Sequence, residues 1–124
     1  MKCQRERLQQ DFAALNKIGA LENGGFTRVA FSSEDMAARD WLGNAMQEAG
    51  LEISIDPFGN MRGRRQGTTD LPPVMIGSHL DTVPEGGNYD GVVGVLAGLE
   101  VIRSLNDQNL TTKRPIEVIN FSAE

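Results

Sequence analysis

Side chains that could carry chemistry are concentrated in one short segment, residues 77–91. It contains His79, the only histidine of the chain, with Asp81 two positions later and Asp90 after a loop that includes a Gly-Gly pair. An imidazole nitrogen and a carboxylate are ligands that divalent metals such as zinc prefer. The spacing therefore predicts that His79 and Asp90 bind metal, and that Asp81 fixes the His79 ring by accepting its second N–H.

Each of these residues, taken singly, has an ordinary structural interpretation. A lone histidine after a strand is more often a surface or core residue than a ligand. Asp90 could simply cap a helix, and Asp81 could belong to a turn. Glu124, the last residue, could be no more than a chain-end carboxylate. It is the joint pattern that favours a metal site.

The composition of the 124-residue chain is typical of one soluble globular domain, with 40% hydrophobic and 23% charged residues. The formal net charge of -5 argues against nucleic acid or an anionic membrane as a partner. The single cysteine, Cys3, rules out an intrachain disulfide, and no apolar run approaches the ~20 residues of a membrane-spanning helix. We therefore expect a cytoplasmic protein with neither a nucleic-acid nor a membrane partner.

Apolar residues at helical spacing predict three helices. A Ser-x-x-Asp capping pattern begins the second helix, and Gly50 is placed to end it. Gly94 and Gly98 lie one turn apart in the third helix and would let it approach a sheet closely. The predicted helical spans are Leu8–Ile18, Ser32–Gly50 and Asp90–Leu105.

Four strands are predicted between and after these helices, which indicates an α/β layer fold. The third predicted strand, the loop after it, the third helix and the last strand would form a right-handed crossover. We expect the third strand to be buried. We expect the last one to be an unpaired edge, through which the chain could self-associate. The predicted strands are Leu51–Ile55, Met61–Arg65, Val74–Gly77 and Pro115–Phe121.

The joint pattern resembles that of the dinuclear zinc amidohydrolases and exopeptidases, a family that includes aminoacylases, carboxypeptidases and carbamoylases. The family pattern is His-x-Asp, then Gly-Gly-x-x-Asp-Gly, then a strand that ends in Glu-Glu. The corresponding segments of this chain are His79-Leu80-Asp81, Gly86-Gly87-Asn88-Tyr89-Asp90-Gly91 and Phe121-Ser122-Ala123-Glu124.

Two further segments resemble one branch of that family, the N-carbamoyl-L-amino-acid hydrolases, allantoate amidohydrolases and β-ureidopropionases. The resemblance runs from about residue 8 to the end of the chain. It implies a partial three-layer α/β sheet, with mixed strands and helices packed on it. Residues 1–124 would be the N-terminal part of the catalytic domain, without its remainder and without the lid and dimerisation domain. The two segments are Gly24-Gly25-Phe26-Thr27-Arg28 and Asp56-Pro57-Phe58-Gly59-Asn60.

The same resemblance implies a role for each candidate residue. His79 would bind one metal ion, Asp90 would bridge two, Asp81 would hold His79, and Glu124 would be the general base. The parent enzyme would use two divalent ions, zinc foremost, although manganese, cobalt and nickel also suit these ligands. The family's second glutamate and two later histidines have no counterpart here, so we expect the chain alone to bind metal weakly or not at all. The resemblance also allows a cis peptide between Asp90 and Gly91.

The parent protein is therefore expected to hydrolyse linear amides, with N-carbamoyl-L-amino acids or allantoate-type ureido compounds as small-molecule substrates. We expect that parent to be a homodimer and the 124-residue chain alone to be inactive. An aminoacylase or dipeptidase of the same superfamily is the nearest alternative. A non-catalytic binding or assembly module that kept the fold is the alternative from another class.

Overall fold

The computed structural model describes all 124 residues, which form three helices and one four-stranded sheet. The expected mixed α/β fold is confirmed. No helix is long and apolar enough to cross a membrane. The helices are α1 (Arg5–Leu15), α2 (Ser33–Glu48) and α3 (Val92–Asp107), and the strands are β1 (Glu52–Ile55), β2 (Met61–Arg65), β3 (Val74–His79) and β4 (Ile116–Phe121).

The ends of α2 form through local hydrogen bonds that the sequence predicts. The Ser32 hydroxyl accepts the backbone N–H of Asp35 at 3.2 Å, and the Asp35 carboxylate accepts the N–H of Phe31 at 2.8 Å. At the other end Gly50 adopts a left-handed φ of 78°, and the N–H of Leu51 returns to the Met46 carbonyl at 3.0 Å. The predicted capping pattern and the terminating glycine are both confirmed.

The strand order in the sheet is β1-β2-β4-β3, so the expectation that the last strand is an unpaired edge is wrong. Strand β4 lies in the interior of the sheet, antiparallel to β2 and parallel to β3. Five of its six residues, from Ile116 to Asn120, are buried. The free edges are β1 and β3. An apolar strand at the end of the chain need not lie at the end of the sheet, because spatial order and chain order differ across a crossover.

Strand β3 is less buried and longer than the sequence predicts. Val74 is 48% exposed and Met75 is 46% exposed, since β3 has a neighbour on one side only. The strand continues past Gly77 to His79, which pairs in register with Phe121. His79 is therefore the last residue of a strand, and its backbone is fixed by the sheet.

Glycines let α2 and α3 approach the sheet, as expected for α3. A Cβ added at Gly98 would lie 3.2 Å from side-chain atoms of Ile76 and Val118, and one added at Gly94 would lie 2.8 Å from the Cβ of Ser78. A Cβ added at Gly63 in β2 would lie 2.8 Å from the sulfur of Met46 in α2. These contacts enclose an apolar core to which all three helices contribute.

The contacts of α2 and α3 with the sheet fall on the face that carries Gly63 and Val118. The alternating residues lie on the opposite face, where Arg64 of β2 forms a 3.0 Å ion pair with Glu117 of β4. Helices of this chain therefore cover one face of the sheet. The three-layer arrangement implied by the family resemblance is only partly present in these residues.

Alanine in place of two helical glycines should change stability in opposite directions. At Gly43 in α2 a Cβ would meet nothing within 4 Å, so Gly43→Ala should raise the free energy of unfolding by about 0.5–1 kcal/mol. At Gly94 the added Cβ would press on Ser78, so Gly94→Ala should lower it by roughly 1–3 kcal/mol. Urea unfolding followed by circular dichroism measures both. Equal effects of the two substitutions would contradict the close packing of α3.

Candidate metal centre

The candidate residues gather at the edge of the sheet where β3 and β4 both end. The two strands are parallel, and His79 at the end of β3 pairs with Phe121 at the end of β4. Asp81 and Glu124 follow these strand ends. Burial raises the pKa of the Asp81 carboxyl, and a hydrogen bond from the Glu124 backbone N–H is a weaker influence that lowers it.

His79 presents one ring nitrogen to the backbone and the other to Asp90. Its side chain is 11% exposed. Nδ1 lies 2.8 Å from the carbonyl oxygen of Asp81, and since a carbonyl can only accept, Nδ1 carries the proton in the neutral ring. Nε2 is then left with its lone pair, 3.9 Å from Oδ2 of Asp90. This is the tautomer in which Nε2 can bind a metal ion.

The partner of the ring N–H differs from the one that the sequence suggests. We expected the Asp81 carboxylate to accept it, but Oδ1 of Asp81 is 3.7 Å from Nδ1, and the backbone carbonyl of the same residue is nearer. The Asp81 side chain is 5% exposed. Burial is the largest influence on its pKa and raises it, His79 lowers it, and the Asp35 carboxylate raises it.

The residue after Asp90 must be a glycine, because both its backbone conformation and the nearby His79 ring exclude a side chain. Gly91 has a left-handed φ of 71°, and a Cβ at this position would lie 2.6 Å from Cδ2 of the His79 ring. Any larger residue would displace the imidazole. The Asp90–Gly91 peptide is trans, so the cis bond considered from the resemblance is not found. The Asp90 side chain does not cap α3 but stands 90% exposed beside the ring.

Two buried side chains hold the residue between His79 and Asp81. The N–H of Leu80 donates to Oδ1 of Asn120 at 2.9 Å, and the Leu80 carbonyl accepts Nε–H of Arg28 at 2.8 Å. The Leu80 side chain is fully buried. The backbone that carries both candidate residues is therefore tied to β4 and to the Gly24–Arg28 segment.

A second set of contacts holds the segment that leads to Glu124. The N–H of Ser122 donates to Oδ1 of Asn60 at 2.9 Å, and Nη1 of Arg39 donates to the Ser122 hydroxyl at 3.2 Å. The Asp56 carboxylate in turn accepts the side-chain amide of Asn60 at 2.9 Å. Glu124 itself is exposed.

Sequence reasoning did not assign these supporting residues a role. Arg28, Asp56 and Asn60 belong to the two segments that carry the family resemblance, so their segments were noted but their contacts were not. Arg39 and Asn120 gave no sequence signal of their own. Their partners are mostly backbone atoms, which sequence patterns do not reveal.

The donor set fits a divalent ion but does not complete a site. One imidazole nitrogen and one exposed carboxylate face each other, and they are ligand types suited to zinc and its neighbours. Zinc sites in proteins use about three or four protein ligands. No group of three or more histidine, cysteine, aspartate or glutamate side chains is arranged to hold a metal ion in this chain.

Comparison with known proteins gives matches along the whole chain. The sequence profile of Peptidase family M28 matches residues 60–124, just over half of the chain. An N-carbamoyl-L-amino acid amidohydrolase of Geobacillus stearothermophilus is 44% identical over 98% of this chain and 30% of its own length. A ureidoglycolate hydrolase of Arabidopsis thaliana is 38% identical over 94% of this chain and 25% of its own length.

Solved structures show the same similarity. An amidase of the hydantoinase/carbamoylase family from Burkholderia vietnamiensis superposes with a TM-score of 0.97 at 44% identity, over 99% of this chain and 30% of that one. A zinc-dependent exopeptidase from Bacteroides vulgatus, at 16% identity and a TM-score of 0.67, shares the fold. The chain spans about 30% of the length of its first curated relatives.

A weak metal site at His79 and Asp90 should be detectable by paramagnetic broadening. On titration with Mn²⁺, NMR signals of these two residues should broaden first, because their donor atoms face each other. Asp90→Asn should reduce the broadening and His79→Ala should abolish it, while Asp40→Asn, an exposed carboxylate on α2, should leave it unchanged. Tight binding of two ions per chain would contradict the half-formed site.

Proposed function

This chain belongs to Peptidase family M28, and we propose that it is the N-terminal part of a metal-dependent hydrolase that cleaves ureido compounds, N-carbamoyl-L-amino acids foremost. The observation that carries this proposal is the geometry of His79. Its Nδ1–H is taken up by the backbone, so Nε2 is free to bind metal and faces the Asp90 carboxylate at 3.9 Å.

The choice of substrate class rests on what the similar proteins share. One set is named for N-carbamoyl-L-amino acids and another for ureidoglycolate. Both kinds of substrate contain an N–CO–NH₂ group. The 44% identity to an N-carbamoyl-L-amino acid amidohydrolase extends over 98% of this chain, whereas the 46% identity to a ureidoglycolate hydrolase of Oryza sativa extends over 79% of it. We therefore place N-carbamoyl-L-amino acids first and other ureido acids second.

In the complete protein His79 and Asp90 would hold divalent metal, with Asp90 able to share its two oxygens between two ions. A bound metal ion would depress the pKa of a water molecule and polarise the carbonyl under attack. Zinc is the first choice, and manganese, cobalt and nickel also accept this ligand set. The remaining ligands would come from residues beyond this chain.

Glu124 would act as the general base and then as the general acid. It follows β4 at the edge where His79 lies, and its exposed carboxylate is free to meet water and substrate. It would take a proton from the attacking water and deliver it to the leaving nitrogen. Hydrolysis of an N-carbamoyl amino acid with one water would release the free amino acid, carbon dioxide and ammonia. Asp81 would hold the His79 ring through its backbone carbonyl.

A peptidase or aminoacylase is the second candidate, favoured by the family's own description as peptidases. The chemistry at the metal would be the same, and the group beside the carbonyl would differ. A small-molecule substrate, a homodimeric parent and a cytoplasmic location complete the proposal. The 124-residue chain alone is expected to be inactive, because three of the ligands implied by the resemblance are not among its residues.

A chimera tests the function directly. Residues 1–124 would replace the matching segment of the Geobacillus stearothermophilus amidohydrolase, to which they are 44% identical. The metal-loaded chimera should release ammonia from N-carbamoyl-L-amino acids. Glu124→Gln should keep the metal and lower kcat by roughly 10²–10⁴-fold, whereas His79→Ala should lose metal and activity together.

The controls separate the alternatives. Chimeric protein that binds metal and cleaves dipeptides, but no ureido compound, would favour the peptidase candidate. A folded chimera that binds metal and cleaves neither would favour the non-catalytic module. Normal turnover by Glu124→Gln would refute the assignment of the base, and turnover by residues 1–124 alone would refute the need for further ligands.

A further inference from the structure

Arg28 is a buried cation whose side-chain hydrogen bonds all go to backbone carbonyls. Arg28 is only 1% exposed. Its guanidinium donates to the carbonyls of Leu80, Leu15 and Ile18 at 2.8, 3.1 and 3.0 Å. Burial lowers the pKa of Arg28, and the nearby Asp35 and Asp81 carboxylates raise it. Burying a guanidinium is unfavourable unless its N–H groups find acceptors, so the positions of these acceptors indicate what Arg28 does.

The carbonyl partners of Arg28 lie in two parts of the fold. Leu15 and Ile18 lie at the end of α1 and in the turn after it, where a positive charge is favourable. Leu80 lies between His79 and Asp81. Arg28 therefore joins the end of α1 to the loop that carries the candidate metal site.

The backbone of the same segment pairs with that loop. Phe26 and Gly86 exchange two hydrogen bonds of 2.9 and 2.8 Å. The N–H of Arg28 donates to Oγ1 of Thr82 at 2.9 Å, and the Arg28 carbonyl accepts the N–H of Thr82 at 2.8 Å. Residues 26–28 thus hold the loop after His79 as far as Gly86.

Arg28 bonds two consecutive peptide units of the loop, the first through its side chain and the second through its backbone carbonyl. The unit joining Leu80 to Asp81 gives its carbonyl to Nε–H of Arg28, and the unit joining Asp81 to Thr82 gives its N–H to the Arg28 carbonyl. The carbonyl of that second unit is the one that accepts Nδ1–H of His79. Because a peptide unit is planar, fixing its N–H fixes the direction of its carbonyl.

We propose that Arg28 is a positioning residue, which holds the Asp81 carbonyl against His79 and so keeps the ring in the Nδ1–H tautomer with Nε2 free for metal. The importance of that tautomer for catalysis rests on the proposed function. The tautomer itself is a property of the chain without metal or substrate.

The tautomer can be read directly from ¹⁵N-labelled protein. At a pH where the ring is uncharged, long-range ¹H–¹⁵N correlations should show unaltered His79 with its proton on Nδ1. Arg28→Lys keeps the charge and the backbone carbonyl that accepts the Thr82 N–H, but it loses the Nε–H bond to the Leu80 carbonyl. With the peptide unit before the Asp81 carbonyl less fixed, the ratio of Nε2–H to Nδ1–H should rise about fivefold, the factor given by one neutral hydrogen bond.

Arg103→Lys is the matched control. Arg103 is also largely buried and bonds Asp11 at 2.5 Å, but it has no contact with the loop. The Arg103→Lys variant should be less stable than the unaltered protein but should keep the same His79 tautomer. An unaltered protein with its proton on Nε2, or a folded Arg28→Lys variant with an unchanged ratio, would overturn the proposal.

If Arg28→Lys does not fold, a less disruptive pair of substitutions, Thr82→Val and its control Thr112→Val, tests the proposal. Thr82→Val removes the acceptor for the Arg28 N–H and should raise the same ratio in the same direction, about twofold. Thr112→Val, which removes a hydroxyl bonded to the Arg114 carbonyl in another loop, should not change it. An unchanged ratio in Thr82→Val would then overturn the proposal. An inactive chimera with the expected tautomer shifts would refute the hydrolase and leave the role of Arg28 standing.

Discussion

The parallel pairing of β3 with β4 is the constraint on which the candidate site depends. Parallel strands end at the same edge of a sheet, so His79 and the segment after Phe121 emerge side by side although they are far apart in sequence. The pairing requires a crossover, which α3 supplies, and α3 can lie close to the sheet because Gly94 and Gly98 have no side chain there. A larger residue at either position would move α3, whose first turn begins beside Asp90.

Above this framework the loops are held mainly by side chains that bond the backbone. Arg28 and Asn120 fix the carbonyl and the N–H of Leu80, and Asn60 fixes the N–H of Ser122. Such bonds define the direction of peptide units, which a surface loop would otherwise sample freely. The two segments that resemble the carbamoylase branch thereby acquire a physical meaning. They support the loops that carry the candidate residues, and this role does not require contact with a substrate.

The sequence predicted elements better than their arrangement. The capping of α2 and the close approach of α3 to the sheet are both present, because each depends on local sequence: Ser32 for the cap, and Gly94 with Gly98 for the approach. The position of β4 was missed because apolar periodicity reports burial and not which strand lies beside it. The Asp81 carbonyl was missed as the partner of His79 for a related reason: the N–H of its peptide unit bonds the backbone of Arg28, a residue remote in sequence.

The two halves of the candidate site differ in how far the chain prepares them. His79 is 11% exposed, its ring is bonded at Nδ1 and lies against Gly91, so little freedom is left to lose when Nε2 binds a ligand. The Asp90 side chain is 90% exposed and forms no capping hydrogen bond with α3, so it would have to become ordered when it binds a ligand. Ordering side chains opposes binding, by up to about 1.5 kcal/mol each. In the proposed metal site, the His79 half would therefore define where an ion binds, and the Asp90 half, together with any further ligands, would determine how tightly the ion is held.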